Sequence, residues 1–254
     1  MNTDLTSGQP LLRAEDLAIS FGAIKAADGV DFALQRNEFV AIIGPNGAGK
    51  TTFLNLVTGY LKPHRGNVWL DGKPITRMAP RLISRQGIAR AFQIPQLFTD
   101  HSLIDNLMLA IAAREGIWQG LTPLNRKAYR DEAGEILELL GLSAHAQAIT
   151  GTLPEGLRKL ADITLAFALN PKLLVLDEPT SGVSSIERFS IMETLMNAMR
   201  KRGLSALFVE HDMEVVQKYA DRVVVWNAGH VMAEGTPAEV MSHPEVLESV
   251  VGVA

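Results

Sequence analysis

Residues Glu38–Ile43 (EFVAII) run straight into Gly44-Pro45-Asn46-Gly47-Ala48-Gly49-Lys50-Thr51-Thr52 (GPNGAGKTT), and this stretch decides the fold. A short apolar run that ends abruptly in glycine reads as a buried strand. Thr51–Tyr60 then reads as a helix with Phe53, Leu54, Leu56 and Val57 on its apolar face. The segment between them fits the phosphate-loop pattern of glycines followed by Lys and Thr. Glycine lets backbone N–H groups turn inward around phosphate oxygens with no Cβ in the way. The following helix points its positive N-terminal end at the anion. The cradle is Gly44, Pro45, Asn46, Gly47, Ala48, Gly49, Lys50, Thr51 and Thr52. Lys50 would reach the β- and γ-phosphates, and the Thr51 hydroxyl would be a Mg²⁺ ligand.

Working outward, strand-like runs precede the loop at Leu17–Ser20 and Val30–Leu34 and follow it at Gly66–Gly72. From about Ile94 to Leu160 the periodicity turns helical, with helices expected over Ser102–Arg114, Arg126–Leu140 and Glu155–Ala168 and turn breaks at Gly116–Pro123 and near Gly151. Alternation then resumes: strand Leu173–Leu176, helix Ile186–Lys201, strand Ala206–Val209, helix Met213–Tyr219, strands Val223–Asn227 and His230–Glu234, and a short helix with a tail. Such alternation predicts an α/β fold, a largely parallel sheet with helices on both faces. The division expected is a core over 11–93 and 161–245, a helical insert over 94–160, and tails at 1–10 and 246–254.

A second element belongs to the phosphate loop. Leu173-Leu174-Val175-Leu176 carries Asp177 to the C-terminal edge of the sheet, where ligands of open α/β sheets collect. Asp177 would hold Mg²⁺, directly or through water. Glu178, the next residue, is placed to polarise an attacking water.

Composition narrows the classes further. The chain has 254 residues, 47% of them hydrophobic and 20% charged, which is globular and too apolar for disorder. Net charge is −4, so it is not built as a bulk nucleic-acid binder. The absence of cysteine excludes a disulfide framework, a thiol nucleophile and a cysteine zinc site. Mean hydropathy is +0.11, yet no apolar run approaches the roughly 18–20 residues of a membrane span. The opening MNTDLTSGQP is polar and does not read as a secretory signal.

With these motifs in order, about residues 11–245 resemble the ATP-binding subunits of ABC transporters. The resemblance implies a P-loop NTPase core with a mixed, largely parallel sheet, an antiparallel β edge and a helical subdomain insert. It implies ATP and Mg²⁺ as cofactors. Phe21, in SFGAIKAADGV, is similar to the aromatic that stacks on adenine. Gln93, in ARAFQIPQLF, is similar to the glutamine that touches Mg²⁺ and the attacking water. His211, in LFVEHDM, resembles the switch histidine that holds Glu178 and contacts the γ-phosphate. The other histidines, His64, His101, His145, His230 and His243, lack metal spacing. The length, ARAFQIPQLFTDHSLIDNLMLA and the closing EGTPAEVMSHPEVLESVVG are most like the branched-chain amino-acid uptake type. Importers of urea or short amides and an exporter ATPase share the outline, and a soluble ABC-type ATPase is the alternative.

The resemblance also implies the partners: transmembrane permease subunits, a second ATP-binding subunit and, indirectly, a substrate-binding protein, with no nucleic acid. The location implied is peripheral, on the cytoplasmic face of the inner or plasma membrane. Where the family signature is Leu-Ser-Gly-Gly-Gln, this chain has Leu153-Pro154-Glu155-Gly156-Leu157. Pro154 brings neither hydroxyl nor N–H, and Glu155 puts a carboxylate where the partner's phosphate arrives. Thr152-Leu153-Pro154-Glu155 fits a capping box, T-x-x-E. Ser184 stands where the family commonly has Asp. Because the signature serves the partner's ATP, a heterodimer with unequal sites is expected over a homodimer; the alternative is that Leu153–Leu157 binds phosphate through Gly156 and the helix dipole. The apolar surplus is expected to form a permease-docking surface around Ile94–Ala113.

Overall fold

The computed structural model describes residues 8–116 and 126–246. In chain order the elements are β1 (Leu12–Phe21), β2 (Ile24–Leu34), β3 (Phe39–Ile43), α1 (Lys50–Val57), β4 (Arg65–Leu70), β5 (Lys73–Pro74), α2 (Pro80–Gln86), β6 (Ile88–Ala91), α3 (Leu103–Arg114) and α4 (Lys127–Leu139). Two 3-10 turns, Ser143–His145 and Thr150–Thr152, lead into α5 (Glu155–Ala168), β7 (Leu173–Asp177), α6 (Ser185–Lys201), β8 (Ser205–Val209), α7 (Met213–Tyr219), β9 (Arg222–Asn227), β10 (His230–Gly235), α8 (Pro237–Met241) and α9 (Pro244–Val246).

The strands form two sheets. The larger has the order β10-β9-β3-β8-β7-β6 and the smaller β2-β1-β4-β5. Strands β9, β3, β8, β7 and β6 pair in parallel, and β10 joins β9 antiparallel. The smaller sheet is antiparallel throughout. Alternation along each strand divides the interior in two, because successive side chains point to opposite faces. Phe39, Ala41 and Ile43 join one core with Leu174, Leu176, Ala206 and Phe208, covered by α3 to α7. Val40 and Ile42 join the other with Val175, Leu207, Val209 and Trp226, covered by α1 and the antiparallel sheet. Thus the second face is covered by α1 and the antiparallel sheet, which is the antiparallel β edge expected from the resemblance.

The helical expectations at 102–114 and 126–140 are matched by α3 and α4, and the break at Gly116–Pro123 falls almost wholly outside the described residues. The signature helix is one rod over Glu155–Ala168, so it crosses the sequence division at 160 and packs on both α3 and β6. Elements α2 and β6 have no counterpart in the sequence reading. They are short, and β6 contains Arg90. Their signals are Pro80 in the first turn and Gly87 as a left-handed C-cap.

The capping box at Thr152–Glu155 is not formed. Thr152 belongs to a 3-10 turn, and its hydroxyl donates back to the Ile149 carbonyl at 2.8 Å. Pro154 is the N-cap residue and makes no side-chain cap bond. The box that does form is Thr236 with Glu239 at the start of α8.

Asn106 fixes the loop that leaves β6. It is fully buried on α3 and accepts from Phe98 N–H at 2.9 Å while donating to the Phe98 and Ser102 carbonyls. Asn106→Ala leaves the Phe98 N–H without its acceptor, at about 1–3 kcal/mol, while the Phe98 and Ser102 carbonyls keep other donors. The expected result is a lower urea midpoint and faster amide exchange at Phe98, measured by hydrogen exchange.

Candidate functional site

The phosphate loop rises from β3 and closes into α1. Gly44 has φ 149 and Gly49 has φ 107, and at each a Cβ would meet a carbonyl: Trp226 O at 2.0 Å and Ala26 O at 2.1 Å. Glycine is therefore set by close approach as well as by backbone conformation. Lys50 folds back on the loop and donates to the Gly44 carbonyl at 2.6 Å and the Pro45 carbonyl at 2.9 Å. Burial holds its ammonium below the ordinary lysine value, and Glu178 and Asp177 oppose that shift. Two acceptors that keep a buried ammonium charged are also ones it can exchange for phosphate oxygens. Thr51 is exposed at the first turn of α1, with Thr52 half-buried behind it.

The β1–β2 hairpin borders this loop. Phe21 closes β1 and is half exposed, as an aromatic face offered to a planar ring must be. The β9–β10 turn braces the other side, with Gly229 N–H donating to the Ala48 carbonyl at 2.9 Å.

At the end of β7 the predicted residues Gln93, Glu178 and His211 meet. Gln93 Nε2 donates to Glu178 Oε2 at 2.9 Å, and His211 Nε2 lies 3.1 Å from Glu178 Oε1. Glu178 has φ 51, a left-handed backbone that an L residue seldom adopts, and its N–H donates to the Val209 carbonyl at 3.1 Å. The carboxylate is thus held from two sides by side chains of two different loops. Asp177, one residue earlier, is buried.

Sequence reasoning missed what supports this triad. Lys159, buried on α5, donates from Nζ to the Glu178 carbonyl at 3.2 Å. Burial lowers its pKa, with Glu155, Glu178 and Glu210 opposing. Asp162, also on α5, accepts from Phe92 N–H at 3.0 Å and Gln96 N–H at 2.7 Å, so it grips the loop that bears Gln93. The signal was a charged pair three residues apart on an otherwise apolar helix face.

Glu210, just before His211, accepts from Thr180 Oγ1 at 2.8 Å and Thr180 N–H at 3.1 Å. Burial raises its pKa above the ordinary glutamate value of about 4.3, against the hydrogen bonds from Thr180. Above the unfolded pKa and below the folded one, the native state holds the extra proton, so this group's contribution to stability falls as pH rises through that window. Glu210→Gln keeps an amide oxygen for Thr180, gives up the acceptor of the His211 N–H at 3.2 Å at every pH, and removes the titration. Urea midpoints of variant and wild type are expected to diverge in the variant's favour as pH rises from about 4.3. A difference that is flat with pH would contradict this.

The signature segment lies apart from these residues. Glu155 turns its carboxylate against Gly182, whose Cβ would come 2.5 Å from Oε1. Gly156 faces Val183 and Ile191, and Leu153 is buried. Leu157 packs at the edge of the helical core. Ser184 is the N-cap of α6, accepting from Glu187 N–H. With Pro154 in front, the N–H groups opening α5 make no side-chain cap bond.

The oxygen donors Thr51, Asp177 and Gln93 suit Mg²⁺, which takes one or two carboxylates plus phosphates and keeps several waters. Among the described residues there is no cluster of three or more His, Asp or Glu that could hold a metal without a nucleotide. Ile94, Phe98 and Tyr60 are 73%, 58% and 54% exposed, and Ile149, which bridges to Ser102, is exposed as well. No helix among the described residues is long and apolar enough to cross a membrane.

A family model described as ABC transporter matches residues 27–181. The chain is 35% identical over 253 residues to the high-affinity branched-chain amino acid transport ATP-binding protein LivG of Salmonella typhimurium, covering 97% of this chain and 99% of that protein. It is 32% identical to the ATP-binding protein BraF of Pseudomonas aeruginosa, also named for high-affinity branched-chain amino acid transport, with 97% and 99% covered. A crystal structure described as a nucleotide-free ATP-binding cassette from an ABC transporter superposes with a TM-score of 0.84 at 32% identity, over 97% of this chain and 100% of that one.

Proposed function

The chain belongs to the ABC transporter family, and on that premise we propose that it is the ATP-hydrolysing subunit of an importer for branched-chain amino acids or related small amides. The observation that carries the reading is the Glu178 carboxylate held between Gln93 and His211 beside a phosphate loop. Near-full-length likeness to LivG and BraF supports the substrate class.

ATP would lie with its adenine on Phe21 and its phosphates in the Gly44–Thr52 cradle. Lys50 exchanges its loop carbonyls for β- and γ-oxygens. Thr51, Asp177 and Gln93 would hold Mg²⁺, which neutralises phosphate charge when bound. Glu178 accepts a proton from the attacking water, and His211 and Gln93 keep that carboxylate aimed. Catalysis is then mostly positioning and charge stabilisation around an in-line attack.

Two such subunits would close over two ATP molecules and part after hydrolysis, moving a permease between access states. Of the surface expected around Ile94–Ala113, Ile94 and Phe98 are exposed and support docking of that permease at the inner membrane face, whereas Leu103, Ile104, Leu107, Met108, Ile111 and Ala112 of α3 are buried in the core and do not contribute. Pro154 and the turned-in Glu155 leave this signature with few donors for a partner's γ-phosphate. A heterodimer follows, in which this chain's phosphate loop meets a partner's complete signature and forms the stronger site.

The test is purification through this chain in mild detergent, followed by ATPase assay with a substrate-loaded binding protein. Co-purification of permeases and a second ATPase, and turnover stimulated by leucine, are expected. Recovery only in a membrane-free fraction would overturn the reading.

A further inference from the structure

Arg90 belongs to no motif, yet it touches the Asp177 carboxylate. It lies on β6, three residues before Gln93. Its Nη2 donates to Asp177 Oδ2 at 2.7 Å, and the two side chains are only 5% and 4% exposed. Its Nη1 donates to Asn55 Oδ1 on α1 at 2.6 Å and to Oγ1 of Thr58, the C-cap residue of that helix, at 3.4 Å. The guanidinium carbon lies 4.9 Å from the Phe92 ring centroid and 5.9 Å from that of Tyr60. The two rings meet edge to face at 5.5 Å. Its Nε is buried with no partner.

This is a costly arrangement for structure alone. Burying two ions costs several kcal/mol each before their attraction is counted, and an apolar pair of similar volume is often as stable. What an arginine adds is a planar fork with fixed donor directions. Here the fork joins three elements: α1, which follows the phosphate loop, β6, which leads to Gln93, and β7, which ends in Asp177. Carboxylates that meet a metal are commonly oriented by such an outer partner.

We propose that Arg90 is a positioning residue for the Mg²⁺ carboxylate: it occupies Asp177 Oδ2, fixes the rotamer, and presents Oδ1 to the cation. Its packing on Phe92 and Tyr60 sets that carboxylate's position from the aromatic pair at the exposed face. The inference rests on the reading of Asp177 as the magnesium carboxylate.

The test uses the full chain assembled with its partners and a non-hydrolysable ATP analogue, so that no turnover enters the readout. The Mg²⁺ concentration for half-maximal nucleotide-induced thermal shift is measured, with nucleotide affinity in EDTA as control. Arg90→Met is expected to raise that Mg²⁺ concentration by about 10–100-fold with little change in EDTA. Arg90→Lys should fall between, since it keeps the charge and loses the fork. Asn55→Ala, which removes the second anchor, should shift it in the same direction by less, and it serves if Arg90→Met does not fold. A lower melting temperature with an unchanged Mg²⁺ midpoint in Arg90→Lys and Asn55→Ala would overturn the proposal. Asp177→Ala with an unchanged Mg²⁺ midpoint would instead overturn the assignment of Asp177.

Discussion

Glu178→Gln is expected to lower steady-state ATP hydrolysis by the assembled transporter by about 10²-fold or more, the range lost with a general base. The side chain is isosteric and still sits between Gln93 and His211, which hold the carboxylate from both sides at 2.9 and 3.1 Å. What it loses is the negative charge and the proton acceptor. ATP binding needs the cradle and Lys50, not this acceptor, so nucleotide affinity is expected to persist. The variant should therefore accumulate as a closed, ATP-loaded dimer. Phosphate release measures the first effect and size-exclusion chromatography in ATP the second. In the proposed heterodimer the partner's ATP would face the signature of this chain, so the same substitution in the partner subunit is expected to cost less. Intact turnover in the Glu178→Gln complex would move the stronger site to the partner.

Gly49→Ala carries the second large effect. Residue 49 has φ 107, where a Cβ is strained, and that Cβ would sit 2.1 Å from the Ala26 carbonyl oxygen. No rotamer relieves this, since the atom met is backbone. Either the β1–β2 hairpin moves away from the loop or the loop leaves its cradle shape. The expected result is a stability loss of more than about 2 kcal/mol, in the class of strain at special backbone positions, with ATP binding abolished. Urea midpoints and equilibrium nucleotide binding read the two effects separately. Lys50→Met is the companion, because it removes the phosphate contact with the backbone unchanged. It should lose nucleotide affinity with a nearly native urea midpoint.

The glycine loop, the apolar strand ending in Asp177 and Glu178, and the EHD after β8 were legible because each is a local pattern fixed by chemistry. The parallel direction of β3, β7 and β8 followed from alternation, since each is short, apolar and followed by a helix. What stayed hidden was carried by contacts between segments distant in the chain. Arg90 reaches Asp177 across 87 positions, and Lys159 reaches Glu178 from another element altogether. No local periodicity encodes such a pairing. Thr152 misled for a related reason. The T-x-x-E spacing is correct for a box, but the backbone at Thr150–Thr152 is already closed as a 3-10 turn, and its own carbonyl at Ile149 takes the hydroxyl.

Helix α5 has a mechanical meaning beyond its length. Lys159 holds the Glu178 carbonyl and Asp162 holds the amides of Phe92 and Gln96, three positions apart on one continuous rod. A helix resists bending over so short a span, so the two attachments behave as teeth on a single gear. A rotation of α5 as a rigid rod would be expected to carry the loop of Gln93 and the loop of Glu178 together. The Glu178 carboxylate and its Gln93 amide partner would then advance and retreat in step.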